Sequence, residues 1–122
     1  MIIKNYDTLL THLKSINNEN YQNFFILVKE APPVKKALIQ TIEREINGKM
    51  YKFLAIKDIE IYAEFRRKGY FKEIISIIES KKIPFMIDDI INEDLNIFLR
   101  NKKYEILNYK KHSQIVTSRF KV

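Results

Sequence analysis

A chain of 122 residues with 46% hydrophobic and 30% charged side chains is long enough for one soluble globular domain, residues 1–122, and too apolar for a disordered tail. No apolar run approaches the roughly 20 residues of a membrane span, and the absence of cysteine excludes disulfides, thiolate metal sites and a cysteine nucleophile. Only His12 and His112 could offer imidazole, far apart in sequence, so no metal site is expected. The start, Met1-Ile2-Ile3-Lys4-Asn5, has no signal-peptide core or cleavage site, which gives a cytoplasmic expectation and no membrane.

The formal net charge is +7, and 17 of the 22 basic residues are lysines spread along the chain. Such a surface attracts polyanions in general, among them nucleic acid, phosphorylated cofactors and acidic protein faces. It is equally the solvated surface of a lysine-, isoleucine- and asparagine-rich chain. The charge selects no partner.

In chain order, Asn5 or Asp7 can cap a first helix with Leu9, Leu10, Leu13 and Ile16 at helical spacing, ended by Asn17-Asn18-Glu19-Asn20. Phe24–Val28 is a short continuous apolar run of the kind found in buried strands, broken by Ala31-Pro32-Pro33. Val34, Leu38, Ile42 and Ile46 recur every four residues, which suits a helix. Asn47-Gly48 opposes that, because a type I′ hairpin turn needs positive φ at both positions. The spacing favours strands at Ala37–Ile46 and Lys49–Ile56, with Lys57-Asp58 as a turn or bulge before Ile59–Tyr62.

Farther on, Phe71, Ile74, Ile75 and Ile78 mark an amphipathic helix from Tyr70 to near Lys82, with Ile77 widening its stripe. Pro84 then opens a strand over Phe85–Ile91. Asn92 can cap a further helix with Glu93 and Asp94 in its first turn and Leu95, Phe98 and Leu99 inside. Tyr104–Tyr109 and Ser113–Val122 predict two closing strands.

The segment Arg66-Arg67-Lys68-Gly69-Tyr70-Phe71-Lys72 is a basic turn between a strand and a helix, in a chain with only two glycines. The first N–H groups of a helix have no partners within it and, with the positive end of its dipole, make an anion site. Phosphate is the ligand this chemistry suggests.

Antiparallel strands, then strand, basic turn, helix, strand, helix and two strands, is the order of the GNAT family of N-acetyltransferases. Arg66-Arg67-Lys68-Gly69-Tyr70-Phe71 resembles the family's acyl-CoA loop, R/Q-x-x-G-x-G/A, except at its last position. Ile61-Tyr62-Ala63-Glu64-Phe65-Arg66 resembles the preceding V-x-P-x-y-R, with Ala63 in place of proline. Counting from Asn92, the family's Asn, Leu99 stands where a tyrosine is usual and Lys103-Tyr104 where Gly-Phe is usual. The likeness covers about residues 49–105.

The resemblance implies an α+β fold with a mixed, mostly antiparallel central sheet flanked by helices. It further implies that Ile59–Tyr62 and Phe85–Ile91 run parallel and diverge toward the loop. The implied activity is transfer of an acetyl group from acetyl-CoA, as co-substrate, to an amine by direct attack. The CoA side would be held at Arg66, Arg67, Lys68, Gly69, Tyr70, Phe71 and Lys72, with Ile61 or Tyr62 offering a backbone N–H to the oxyanion and Asn92 as a further binding residue. Glu60 and Asp58 are the foremost candidates for the base, with Asp88 or Asp89 on the next strand, where an inward carboxylate is expected to have a raised pKa. Tyr62, Tyr70 and Tyr104 are substitutes for the missing acid by residue type alone. The small chain leaves little room for an elaborate acceptor pocket, which favours a macromolecular amine in protein, tRNA or DNA. The alternative is a module of the same kind that has lost its chemistry and binds nucleic acid or protein.

Overall fold

The computed structural model describes residues 1–90 and 92–122. Among these residues seven strands form one mixed sheet in the order β1-β2-β3-β4-β5-β7-β6. They are β1 (Ile2–Ile3), β2 (Phe25–Ala31), β3 (Val34–Ile46), β4 (Lys49–Ile61), β5 (Phe85–Asp88), β6 (Glu105–Lys111) and β7 (Gln114–Lys121). Three α-helices accompany them: α1 (Tyr6–Lys14), α2 (Tyr70–Glu79) and α3 (Glu93–Asn101). The fold is α+β, with β1/β2 and β4/β5 parallel and every other pair antiparallel. Among the described residues no helix is long and apolar enough to cross a membrane.

Local chemistry accounts for the helix starts. The Asn5 side chain accepts from Thr8 N–H at 3.0 Å and opens α1, leaving Asp7 in the first turn. Asn92 does the same for α3 through Leu95 N–H at 3.1 Å. Each such cap is worth about 1 kcal/mol. Leu9 and Leu13, Ile74, Ile75 and Ile78, and Leu99 bring all three helices into one core cluster with Ile39, Leu54, Ile56, Phe85 and Ile87 on the same sheet face. The opposite face carries a smaller cluster of Ile42, Phe53, Ala55, Met86 and Phe120, to which no helix contributes.

Several expectations shift. The Val34–Ile46 segment is strand throughout, beginning three residues before the expected Ala37. A repeat of four is a multiple of the strand period, so Leu38, Ile42 and Ile46 share one sheet face, while the register irregularities between Val34 and Leu38 put Val34 in the core on the other. Of the two readings of Lys57-Asp58, a turn or a bulge, the bulge is found: Asp58 sits at φ +51 where β4 gains one residue over β3, and the strand stays continuous to Ile61. The strand β5 ends at Asp88, short of the expected Ile91, which lies outside the described residues. Helix α2 stops at Glu79, three residues before Lys82. The two-residue β1 was not expected; it is a strand only because Ile2 and Ile3 pair in parallel with Leu27 and Val28.

Candidate functional site

The parallel register between β4 and β5 runs from Leu54↔Phe85 to Lys57↔Asp88 and stops there. Beyond it β4 continues to Ile61, while the chain after β5 turns toward β7, where Ile90 N–H donates to Thr117 C=O at 2.7 Å. The two strands therefore part, and a cleft of about 610 Å³ lies between them. One wall is β4 from Ile56 to Ile61 and the opposite wall is Ile87 to Ile90. The basic turn and the start of α2 close one end; Leu95 and Phe98 of α3 close another, with Phe98 edge-on to Phe71.

Most of the predicted site residues meet here. Asp58, Glu60 and Asp88 line the cleft, as do Ile61, Arg66, Arg67, Gly69, Tyr70, Phe71, Lys72 and Asn92. Tyr62 and Lys68 do not; Lys68 holds its ammonium 5.9 Å from the centre of the Phe65 ring. The Asn92 carbonyl oxygen is occupied by the α3 cap, so its place in the wall is first of all structural.

The turn carries two left-handed residues, Arg67 at φ +63 and Gly69 at φ +86, on either side of Lys68. Gly69 caps α2 without a side chain, so no side-chain oxygen occupies the first-turn N–H groups. A Cβ at Gly69 would meet nothing within 4 Å. Glycine is therefore required by its φ and not by a close neighbour. Tyr70 packs edge-on against Tyr6 and Phe65, and the Tyr6 hydroxyl donates to the Glu73 carboxylate at 2.5 Å. That bond occupies the nearest acidic group of the α2 first turn. Burial, followed by Glu73, raises the Tyr6 hydroxyl well above the ordinary phenol value.

The backbone corrects one expectation. Tyr62 N–H donates to Pro33 C=O at 3.0 Å and is not free to meet a ligand. The same bond makes Val34↔Ile61 a pair whose own N–H and C=O groups point away from each other, because antiparallel ladders alternate in this way. Ile61 thus turns its backbone toward the β5 side. Its C=O accepts from Arg66 Nε at 3.0 Å, which ties the basic turn to the end of the strand. Ile61, and not Tyr62, is the residue with an N–H aimed at the cleft.

Asp88 is the second correction. Its carboxylate projects to the helix-free face and is 3% exposed. One oxygen accepts from Ser118 Oγ at 2.6 Å and Tyr109 Oη at 2.7 Å; the other faces Arg44 and Lys57, each at 3.4 Å. Burial alone would raise its pKa, but the bonds from Ser118 and Tyr109 and the charges of Arg44 and Lys57 outweigh burial and hold it below the ordinary carboxylate range. The expected raised value is not found. A carboxylate held below the ordinary range by three hydrogen bonds and two cations is a poor proton acceptor at neutral pH.

Glu60, Asp58 and Asp89 remain accessible in the cleft wall. Glu60 pairs with Lys35 at 3.5 Å across two partly exposed side chains, a contact of little energetic weight. Leu99 is fully buried in the core. Tyr104 is also buried, donating to Glu79 at 2.9 Å beside Lys102 and Lys121, and it is absent from the cleft wall. Burial, then the Glu79 bond, pushes its hydroxyl far above the ordinary phenol value. Tyr70 is the tyrosine that reaches the cleft.

Sequence reading missed the partners of Asp88. Arg44, Tyr109 and Ser118 lie 44, 21 and 30 positions away, and no local pattern links them. Comparison with protein-family models, with curated proteins and with solved structures found no match for this chain.

Proposed function

We propose that this chain is an acyl-CoA-dependent N-acyltransferase of the GNAT type, transferring an acetyl group from acetyl-CoA to an amine. The observation that carries the reading is the end of parallel pairing at Lys57↔Asp88, which opens a cleft with a basic, glycine-containing turn at one end. An extended arm bearing amides suits such a gap, since it can take hydrogen bonds that the diverging strands no longer make to each other. The basic turn between strand and helix and the order of elements along the chain support the same reading.

In this reading the backbone N–H groups from Arg67 to Lys72 hold the pyrophosphate, helped by the α2 dipole and by the charges of Arg66, Arg67, Lys68 and Lys72. Ile61 N–H steadies the oxygen that gains charge as the amine bonds to the thioester carbonyl carbon. Glu60 accepts the proton from the attacking nitrogen, the carbon–sulfur bond breaks, and CoA leaves as the thiolate. Leu99 and Tyr104 are buried away from the cleft and supply no acid, so departure rests on the intrinsic stability of a thiolate or on a proton from Tyr70, which lines the cleft.

Isothermal titration tests the reading. Wild-type protein should bind acetyl-CoA saturably, and Gly69→Asp, which adds negative charge and a strained residue to the turn, should weaken that binding strongly. Absence of binding by the wild type at millimolar ligand overturns it.

A further inference from the structure

The last strand of the sheet order, β6, is an edge of seven residues, Glu105-Ile106-Leu107-Asn108-Tyr109-Lys110-Lys111, and among the described residues no strand lies beyond it. Exposed edges of this length pair readily with another chain unless something blunts them. Which backbone groups face outward follows from the ladder. Ile90 N–H reaches Thr117 C=O, so the odd-numbered residues of β7 turn toward the β5 side and its even-numbered residues toward β6. Those even residues, Gln114, Val116, Ser118 and Phe120, are opposite Lys111, Tyr109, Leu107 and Glu105. Ile106, Asn108 and Lys110 therefore direct their N–H and C=O groups off the sheet.

The sequence of this edge is complementary to itself. Placed antiparallel to a second copy about a twofold axis at Asn108, Glu105 stands opposite Lys111, Ile106 opposite Lys110, and Leu107 opposite Tyr109. This register matches the charges at both ends. It also makes Asn108–Asn108 and Ile106–Lys110 the pairs that exchange backbone hydrogen bonds, as the outward groups require. A shift of one residue loses both properties. Leu107 and Tyr109 lie on the helix-free face, where Leu107 packs against the Phe53–Met86–Phe120 cluster and Tyr109 binds Asp88. Ile106, 48% exposed, would gain the aliphatic stem of Lys110 as its neighbour.

We propose that the chain forms a twofold dimer by antiparallel β6–β6 pairing centred on Asn108, joining two seven-stranded sheets into one. The partner is a second copy of this chain. Leu107 of the partner subunit then stands beside Tyr109, the edge residue that binds Asp88.

Sedimentation equilibrium or light scattering at physiological salt should give twice the 14.7 kDa chain mass. Asn108→Pro removes one outward N–H from each copy, two per dimer, and should weaken association by about tenfold or more while circular dichroism stays native. Glu105→Lys sets like charges opposite each other at both ends and should give monomer; adding Lys111→Glu should restore the dimer. With no natural cysteine, Asn108→Cys supplies a register probe independent of folding changes at a proline. Opposed Cα atoms near about 5.5 Å fall within disulfide reach, so oxidation should yield a covalent dimer faster than a Lys4→Cys control. A single-chain mass at high concentration, or cross-linking at Asn108→Cys no faster than the control, overturns the proposal.

Discussion

Lys57 and Asp88 are the last register pair of the parallel β4/β5 ladder, and their side chains form an ion pair of 3.4 Å at the point where the strands part. The ladder thus ends on a charge clamp and not by fraying. Arg44, Tyr109 and Ser118 complete the clamp from three other strands, so the root of the cleft is fixed by five side chains.

Asp88→Asn should destabilise the protein by about 2 kcal/mol or more at neutral pH, because it leaves Arg44 and Lys57 without their shared counter-charge. A carboxylate whose pKa falls on folding contributes stability that is fully present above its unfolded value, near 3.8, and is lost as pH falls through the lower folded value. The difference between wild type and Asp88→Asn in urea denaturation should therefore be full at pH 7 and shrink below about pH 4. A gap that is independent of pH would contradict this account.

Glu60→Gln keeps the side-chain shape and removes the proton acceptor. Turnover of any amine substrate should fall by about 10²-fold or more, with acetyl-CoA affinity unchanged. Unchanged turnover would transfer the role to Asp58 or Asp89, the other accessible candidate carboxylates in the wall.

Leu99→Tyr should not create a general acid. Leu99 is fully buried in the cluster shared by α2, β5 and α3, so the larger ring overpacks that core and should cost about 1–3 kcal/mol. A thermal melt and a turnover assay on the same variant separate the two outcomes; raised turnover without loss of stability would place this side chain in the cleft instead.

Gly69→Val should cost about 1–2 kcal/mol more than Gly69→Asn, since only a short polar side chain tolerates φ near +86. Space does not decide between them, because the site around a Cβ is open. Equal melting temperatures would mean that the turn relaxes.

Binding to a short duplex or to tRNA should be weak, independent of base sequence and lost steeply as salt rises, since each neutralised phosphate releases condensed counterion. Titrations at two salt concentrations suffice. Tight binding that survives high salt would favour the non-enzymatic alternative.

Much of the molecule was legible because its signals are local. Asn5 and Asn92 announce helix starts through side-chain oxygens that reach N–H groups three residues on. Ile74, Ile75 and Ile78 mark a buried helix face by spacing alone. Asn47-Gly48 marks a hairpin by its backbone, with φ of +51 and +81. The basic turn at Arg66–Lys72 is likewise a contiguous feature, and its place between strand and helix follows from the flanking patterns.

Tertiary structure alone decided the rest. Whether Tyr62 or Ile61 turns its N–H to the cleft depends on a bulge at Asp58 and on a bond from Tyr62 to Pro33, a residue 29 positions away. Whether Asp88 is a reactive or a structural carboxylate depends on four side chains brought from β3, β4, β6 and β7. The short β1, though made of strand-favouring isoleucines, is too brief for a sequence pattern and exists because β2 offers it a partner. A chain specifies backbone preferences residue by residue, whereas the ionisation of a buried group and the free edge of a sheet are set by what long-range pairing places beside them.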